Sequence, residues 1–252
     1  MKLGLLLINL DRHPERLEHM RRQLDATALP WERIPAVDGN KGGGEGYSPE
    51  LNQRHFHREL SPGERACFAS HRKAWQHLLY QGWDGAIILE DDIELAPDFA
   101  TLAHSLATTQ HHWEALKLMG FNRNRILSRT PLDATGRWEI GDYLKAPSAT
   151  CAQVITATAA TRLLKTTKHF GVPVDTAMQY HWRTNVIFQA ILPYPVHCAS
   201  SGEPSDLRGR RGTHHPFHRL KKVKQQIQYN AHAYVSAIQQ HGIAALLRTQ
   251  RV

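Results

Sequence analysis

Three consecutive carboxylates, Glu90, Asp91 and Asp92, close the run AIILEDD, and their spacing is the strongest chemical signal in the chain. The four apolar residues before them read as a strand buried on both faces. Acids crowded at its carboxyl end repel one another and lose solvation unless a cation neutralises them, and that end is where an open α/β sheet takes its ligands. Hard oxygen ligands of this kind suit Mg²⁺ or Mn²⁺, which keep several waters and are completed by substrate phosphates. A solvated acidic turn is the alternative. Other combinations carry less. Ser70 and His71 are adjacent on a helix and point about 100° apart, so they do not form a nucleophile and base. His71 shares a face with Cys67 and Trp75, as a hydrogen-bonded core histidine would. The 17 histidines include no HExxH and no paired Cys/His spacing, and His214, His215 and His218 read as surface residues. The glycine-rich residues 38–46 lack the Gly-Lys-Ser/Thr of a phosphate loop.

Residues of this kind must be held by layered elements, and the chain alternates strand and helix signals along its length. GLLLINL reads as a buried strand, and from Pro14 the positions Leu17, Met20 and Leu24 recur at helical spacing. Residues 31–37 predict a second strand. Ser61-Pro62-Gly63-Glu64 joins an N-cap, a proline at the first helical position and a capping-box glutamate, opening a helix that ends near Gly82. Beyond the acids come a helix to about residue 106, a strand near 116–120, and a turn-rich loop or hairpin over the sheet at 122–142. A strand at 151–156, a helix at 157–168 with Leu163 and Leu164 inward, and a strand at 187–192 follow. The alternation predicts an α/β fold, a mostly parallel sheet flanked by helices. With 252 residues and 41% hydrophobic content the chain can build one such domain, and collagen-like, low-complexity and wholly disordered classes are excluded.

The net charge of +8 is unevenly spread. Residues 207–252 hold nine Lys and Arg and no acid, which leaves residues 1–206 at −1. A uniformly basic nucleic-acid binder is therefore not expected. Three cysteines without CxxC spacing suit free thiols in a reducing compartment, and the apolar opening is short, meets Asp11 and Arg12 at once and lacks a small-residue cleavage site, so a cytoplasmic protein is expected. No run approaches the roughly 20 apolar residues that span a bilayer, so membrane association would be peripheral.

INLDRHPERLEHM, IPAVDG, LSPGERACFASHRKAW, IILEDDIEL and GVPVDTAM, in this order and at these separations, resemble the glycosyltransferase family 25 enzymes over about residues 3–207. The resemblance implies a GT-A-like (Rossmann-like) fold and a nucleotide-sugar donor, typically UDP-galactose. It also implies an acidic motif that holds Mn²⁺ or Mg²⁺ against the diphosphate. On this reading Asp92 is the direct metal ligand, Asp91 a ligand or ribose partner, and Glu90 a supporting group or backbone cap. Asn9, Asp11, Arg12 and Arg16 follow the first strand where the nucleotide would lie, although Asp11 could equally cap the first helix and Arg16 be solvated. Asp38 and Gly39 match the family's VDG and would line the same donor cleft, as would His71; Asp38 in a tight turn is the alternative. An inverting transfer needs a base on the acceptor side, and Asp175 is the candidate, with a helix N-cap as its other role. Arg208, Arg210 and Arg211, just beyond Ser205-Asp206-Leu207, could contact donor or acceptor phosphates.

The expectation is thus a domain over residues 1–206 that transfers a hexose, galactose first, to a lipooligosaccharide or lipopolysaccharide-type acceptor, with a basic helical extension over 207–252. In that extension Val223, Ile227, Ala231, Tyr234, Val235 and Ile238 form an apolar stripe beside Lys221, Lys222 and Lys224, to be packed on the body or laid on an anionic membrane. The alternatives are a nucleotidyltransferase-like metal enzyme and a non-catalytic nucleic-acid-binding protein using the basic end.

Overall fold

A computed structural model of the protein describes residues 1–121, 123–199 and 213–252. The strands are β1 (Leu3–Asn9), β2 (Glu32–Pro35), β3 (Gly85–Glu90), β4 (Ile93–Leu95), β5 (Ala115–Lys117), β6 (Arg125–Pro131), β7 (Glu139–Tyr143), β8 (Ala152–Thr156), β9 (Phe188–Leu192), β10 (Val196–Cys198) and β11 (Gln250–Arg251). The helices are α1 (Pro14–Asp25), α2 (Pro49–His55), α3 (Pro62–Tyr80), α4 (Phe99–Thr108), α5 (Ala157–Thr166), α6 (Val174–Gln179), α7 (His181–Thr184), α8 (His218–His241) and α9 (Ile243–Leu247).

Among the described residues a nine-stranded sheet runs in the order β11-β6-β7-β9-β5-β8-β3-β1-β2. Six of its strands point one way, while β8 and β7 within the sheet and β11 at its edge are reversed. The fold is α/β as expected, with the parallel ladders confined to β2-β1-β3 and β5-β9. The residues at 125–143 do not lie over the sheet; they form the hairpin β6-β7, which extends it through the ladder of β7 with β9.

Side chains on the central strands alternate between two cores, as the period of two requires. Leu6, Ile8, Ala86 and Ile88 face the core under α3 and α5, and Leu5, Leu7, Ile87 and Leu89 face the core under α1 and α4. Both faces are covered, which is why β1 and β3 read as unbroken apolar runs. The capping box at α3 is complete: the Glu64 amide donates to Ser61 Oγ at 3.2 Å, and the Ser61 amide donates to Glu64 Oε2 at 2.9 Å.

One buried polar side chain ties distant segments together. Asn52, on α2, donates to the carbonyls of Gly171 at 2.8 Å and Arg58 at 3.0 Å, and its Oδ1 meets His215 Nε2 at 2.7 Å. His215 is therefore a structural link, not the surface residue expected. Gly171 must be glycine here, since a Cβ would come within 2.2 Å of the Asn52 nitrogen.

From Thr213 onward the chain is bound to the body; the 206/207 boundary, Arg208, Arg210 and Arg211 lie outside the described residues. Ala233 and Ala237 of α8 are buried, Tyr229 Oη donates to the Ala146 carbonyl at 2.9 Å, and β11 adds to the sheet edge. Most of the apolar stripe does not pack on the body: Val223, Ile227, Ala231, Val235 and Ile238 are exposed, while Tyr234 lies under Lys145, whose Nζ is 5.2 Å from the ring centre.

Asn52→Leu keeps the volume but strands two carbonyls and a ring nitrogen. It is expected to lower the unfolding free energy by about 3 kcal/mol, measured by urea denaturation, and a loss under about 0.5 kcal/mol would show that these segments hold without it.

Candidate active site

The parallel register sets Ile8 beside Glu90, so β1 and β3 discharge Asn9 and Asp91 into the same crevice at their carboxyl ends. The cleft there is walled by Asn9 at the end of β1, Arg12 and Arg16 beyond it, Val37 and Gly39 after β2, Cys67 and His71 of α3, and the three acids. A second, wider cleft of about 1210 Å³ lies on the other side of the acids, with Arg58, Glu64, Thr150, Cys151 and Asp175 in its wall. Cys67, Glu90 and Asp92 line both. The acidic strand end is the partition between two binding spaces.

Each acid has a different environment. Glu90 Oε1 accepts from His71 Nε2 and from Thr150 Oγ1, both at 2.9 Å. His71 is buried, and its Nδ1 faces Gln153 Nε2 at 3.2 Å, an arrangement that assigns the Nε2–H form to the ring. Burial pushes the Glu90 carboxyl up, but the hydrogen bonds from His71 and the Thr150 hydroxyl outweigh it and hold the group below its ordinary range. Asp91 Oδ2 accepts from Asn9 Nδ2 at 2.7 Å and Oδ1 lies 3.5 Å from Arg16 Nη1; burial still raises it. Among the described residues no side chain pairs with Asp92, and burial followed by the charges of Glu90 and Asp91 pushes it up to about 6. A carboxylate so placed favours a cation that the described residues do not supply.

Asp175 is the second residue of α6, and the cap position belongs to Pro173, so the N-cap role is not the one it plays. Its Oδ1 accepts from the Thr176 amide at 2.6 Å and the Thr176 hydroxyl at 3.2 Å, and burial raises it. Nearby, Arg58 grips Glu64 through two bonds of 2.7 and 2.6 Å.

Most of the residues picked from sequence meet here: Asn9, Arg12, Arg16, Gly39, His71, Glu90, Asp91 and Asp92 in the narrow cleft, and Asp175 in the wide one. Two do not line either. Asp11 is exposed and pairs with Arg33 at 2.5 Å, drawn away by the neighbouring strand β2. Asp38 stands behind the wall, paired with Arg12 and accepting from the Asn40 amide at 2.9 Å, so it fits the tight-turn role and sets the Arg12 side chain.

Cys67, His71 and Glu90 come within 4.8 Å of one another in a group that could hold a metal. We read it instead as a hydrogen-bonded support, because both His71 ring nitrogens are engaged and burial pushes the Cys67 thiol up, keeping it protonated.

Sequence reasoning missed Lys117. The last residue of β5, it is buried, sits 4.5 Å over the Phe188 ring, and donates to the Ala149 carbonyl next to Thr150. Burial lowers it to about 8, against which the acids Asp175 and Glu90 favour its charged form. A lysine ending a short strand carries no local mark of this role.

Fold and site together define an α/β protein with two clefts meeting at an acidic strand end. The model of Glycosyltransferase family 25 (LPS biosynthesis protein) matches residues 3–178, and the chain belongs to that family. A "Glycosyltransferase 25 family member" of Drosophila melanogaster is 32% identical over 129 residues, 48% of this chain and 21% of the fly protein. "Procollagen galactosyltransferase 1-A" of Xenopus laevis is 27% identical over 125 residues, 45% of this chain and 20% of the frog protein. The chain thus spans about a fifth of the length of these relatives. A mannose-1-phosphate geranyltransferase structure from Thermus thermophilus overlays 78% of this chain and 76% of its own with a TM-score of 0.42 and 11% identity, too loose to bear on the argument.

Because the folded form of Lys117 releases its proton near 8 and the unfolded form near 10.5, the unfolded chain binds more protons in that window and stability rises with pH across it. Lys117→Met should match or exceed the wild type in unfolding free energy at neutral pH and lose that rise. Urea unfolding on both sides of the window checks this, and a clear loss of stability at neutral pH would mean that the bond to Ala149 outweighs the cost of burial.

Proposed function

We propose that the protein is a metal-dependent, inverting glycosyltransferase that moves a hexose from a UDP-sugar to a sugar hydroxyl. The observation that carries this is the position of Glu90, Asp91 and Asp92 between a narrow cleft rich in backbone turns and arginine and a wide cleft holding Asp175. Galactose is the preferred hexose, supported by the relatives named procollagen galactosyltransferases. A lipopolysaccharide or lipooligosaccharide-type glycan is the preferred acceptor, supported by the description of the family. The three free cysteines support a reducing compartment, the cytoplasm.

The residues present fit a hard divalent ion. Asp92 lacks a protein partner among the described residues and rises to about 6, and Asp91 adds a second oxygen donor. Asp91 and Asp92 would hold Mn²⁺ or Mg²⁺, which when bound supplies Lewis-acid stabilisation of the departing diphosphate. Arg12 and Arg16, on the same cleft, orient the diphosphate oxygens. Glu90, fixed by His71 and Thr150, holds the turn that aims the two aspartates. On the acceptor side Asp175 takes the hydroxyl proton as the oxygen attacks the anomeric carbon opposite the leaving group. Its burial raises its basicity toward that task.

Turnover of a panel of UDP-sugars with and without Mn²⁺ tests the proposal. UDP-galactose is expected to be consumed only with the metal. Asp92→Asn should lower kcat by about 10²-fold or more, and Asp175→Asn by about 10²- to 10⁴-fold with donor KM little changed. Failure to turn over any nucleotide sugar, or full activity of Asp92→Asn, would sink the reading.

A further inference from the structure

We propose that the outward face of α8 is a docking surface for an anionic lipid membrane. The helix has 24 residues and two unlike faces. Its inner face is seated by small and polar groups: Ala233 and Ala237 are buried, Lys221 Nζ donates to the Gln53 carbonyl at 2.6 Å, and the His232 ring stacks on Trp182 at 4.2 Å. The opposite face carries the larger apolar residues. Leu220, Val223, Ile227, Val235 and Ile238, at helical spacing, are each between 41% and 68% exposed. Phe217 prolongs this stripe at the start of the helix, and Ile243 and Leu247 of α9 are exposed beyond its end.

A contiguous apolar stripe on the surface marks an interaction site. Its flanks decide the partner. Residues 213–252 contain no acid, and Arg219, Lys222 and Lys224 of α8 are exposed, as are Arg248 and Arg251 beyond it. Two copies joined through this face would bring like charges together, whereas a surface that is apolar below and anionic at its headgroups satisfies both properties of the helix. No helix of the described residues is long and apolar enough to cross a membrane, so the stripe lies in the interface and does not span it. The helix also abuts the wide cleft: His57, in the wall of that cleft, pairs through Nδ1 with Gln225 Oε1 at 3.1 Å. Docking would therefore hold the wide cleft near the lipid surface. The inference rests on the exposed face and its charge, and it stands whether or not the transferase reading does.

Co-sedimentation of the full chain with vesicles of phosphatidylcholine alone, and of phosphatidylcholine with phosphatidylglycerol, tests it. The wild type is expected to pellet with the anionic vesicles only, and less so as salt is raised. Val223→Ser with Ile227→Ser should weaken binding by about tenfold or more, and Arg219→Glu with Lys224→Glu should abolish it. All four positions are exposed, so unchanged thermal melting of the variants will show that the fold is intact. Absence of binding to anionic vesicles, or binding indifferent to the stripe, would overturn the proposal. So would a dimer in sedimentation velocity that the serine pair dissolves, which would assign the face to a second copy.

Discussion

Three carboxylates stand where a strand buried on both faces meets solvent, and the described residues answer only part of their mutual repulsion. Glu90 is tied to His71 and Thr150, and Asp91 to Asn9 with Arg16 near by. Asp92 receives no such partner among the described residues. The asymmetry is informative. A purely structural acidic turn would be solvated or fully paired, whereas among the described residues two of these three acids are paired and the last faces both clefts. The charge that the described residues leave unmet is the chemical demand from which the proposed metal and donor follow.

Much of the surrounding architecture can be understood as support for that turn. His71 is carried on α3, whose first turn is fixed by the Ser61–Glu64 capping box, and Glu64 also anchors Arg58 in the wall of the wide cleft. Lys117 holds the Ala149 carbonyl and so the segment that brings Thr150 to Glu90. Asn52 joins the Arg58 and Gly171 backbones, and Gly171 lies shortly before the turn that presents Asp175. Residues of the two clefts, more than 80 positions apart in the chain, are thereby held by one network around the acids.

What could be read from sequence was what depends on neighbours in the chain. The α3 capping box, the buried β3 and its acids are local patterns, and each is present as expected. What could not be read depends on contacts set by topology. The reversal of β8 leaves its composition unchanged, and Asp11 turns to Arg33 because of the β1–β2 pairing, which spacing after β1 does not encode. Lys117 looks like any strand-end lysine until the pairing of β5 with β8 and β9 sets it against the Ala149 carbonyl and the Phe188 ring. In α8 hydropathy favours the larger side chains as the inner face, yet Ala233 and Ala237 are seated inward because their small size lets the helix approach the body.

Equilibrium binding of UDP by titration calorimetry, with and without Mn²⁺, tests the central claim most directly. The account predicts that UDP binds in a Mn²⁺-dependent manner, that Asp92→Asn weakens the binding by about tenfold or more, and that Asp175→Asn, on the other cleft, leaves it unchanged. Binding of UDP that is indifferent to the metal and to Asp92 would contradict it.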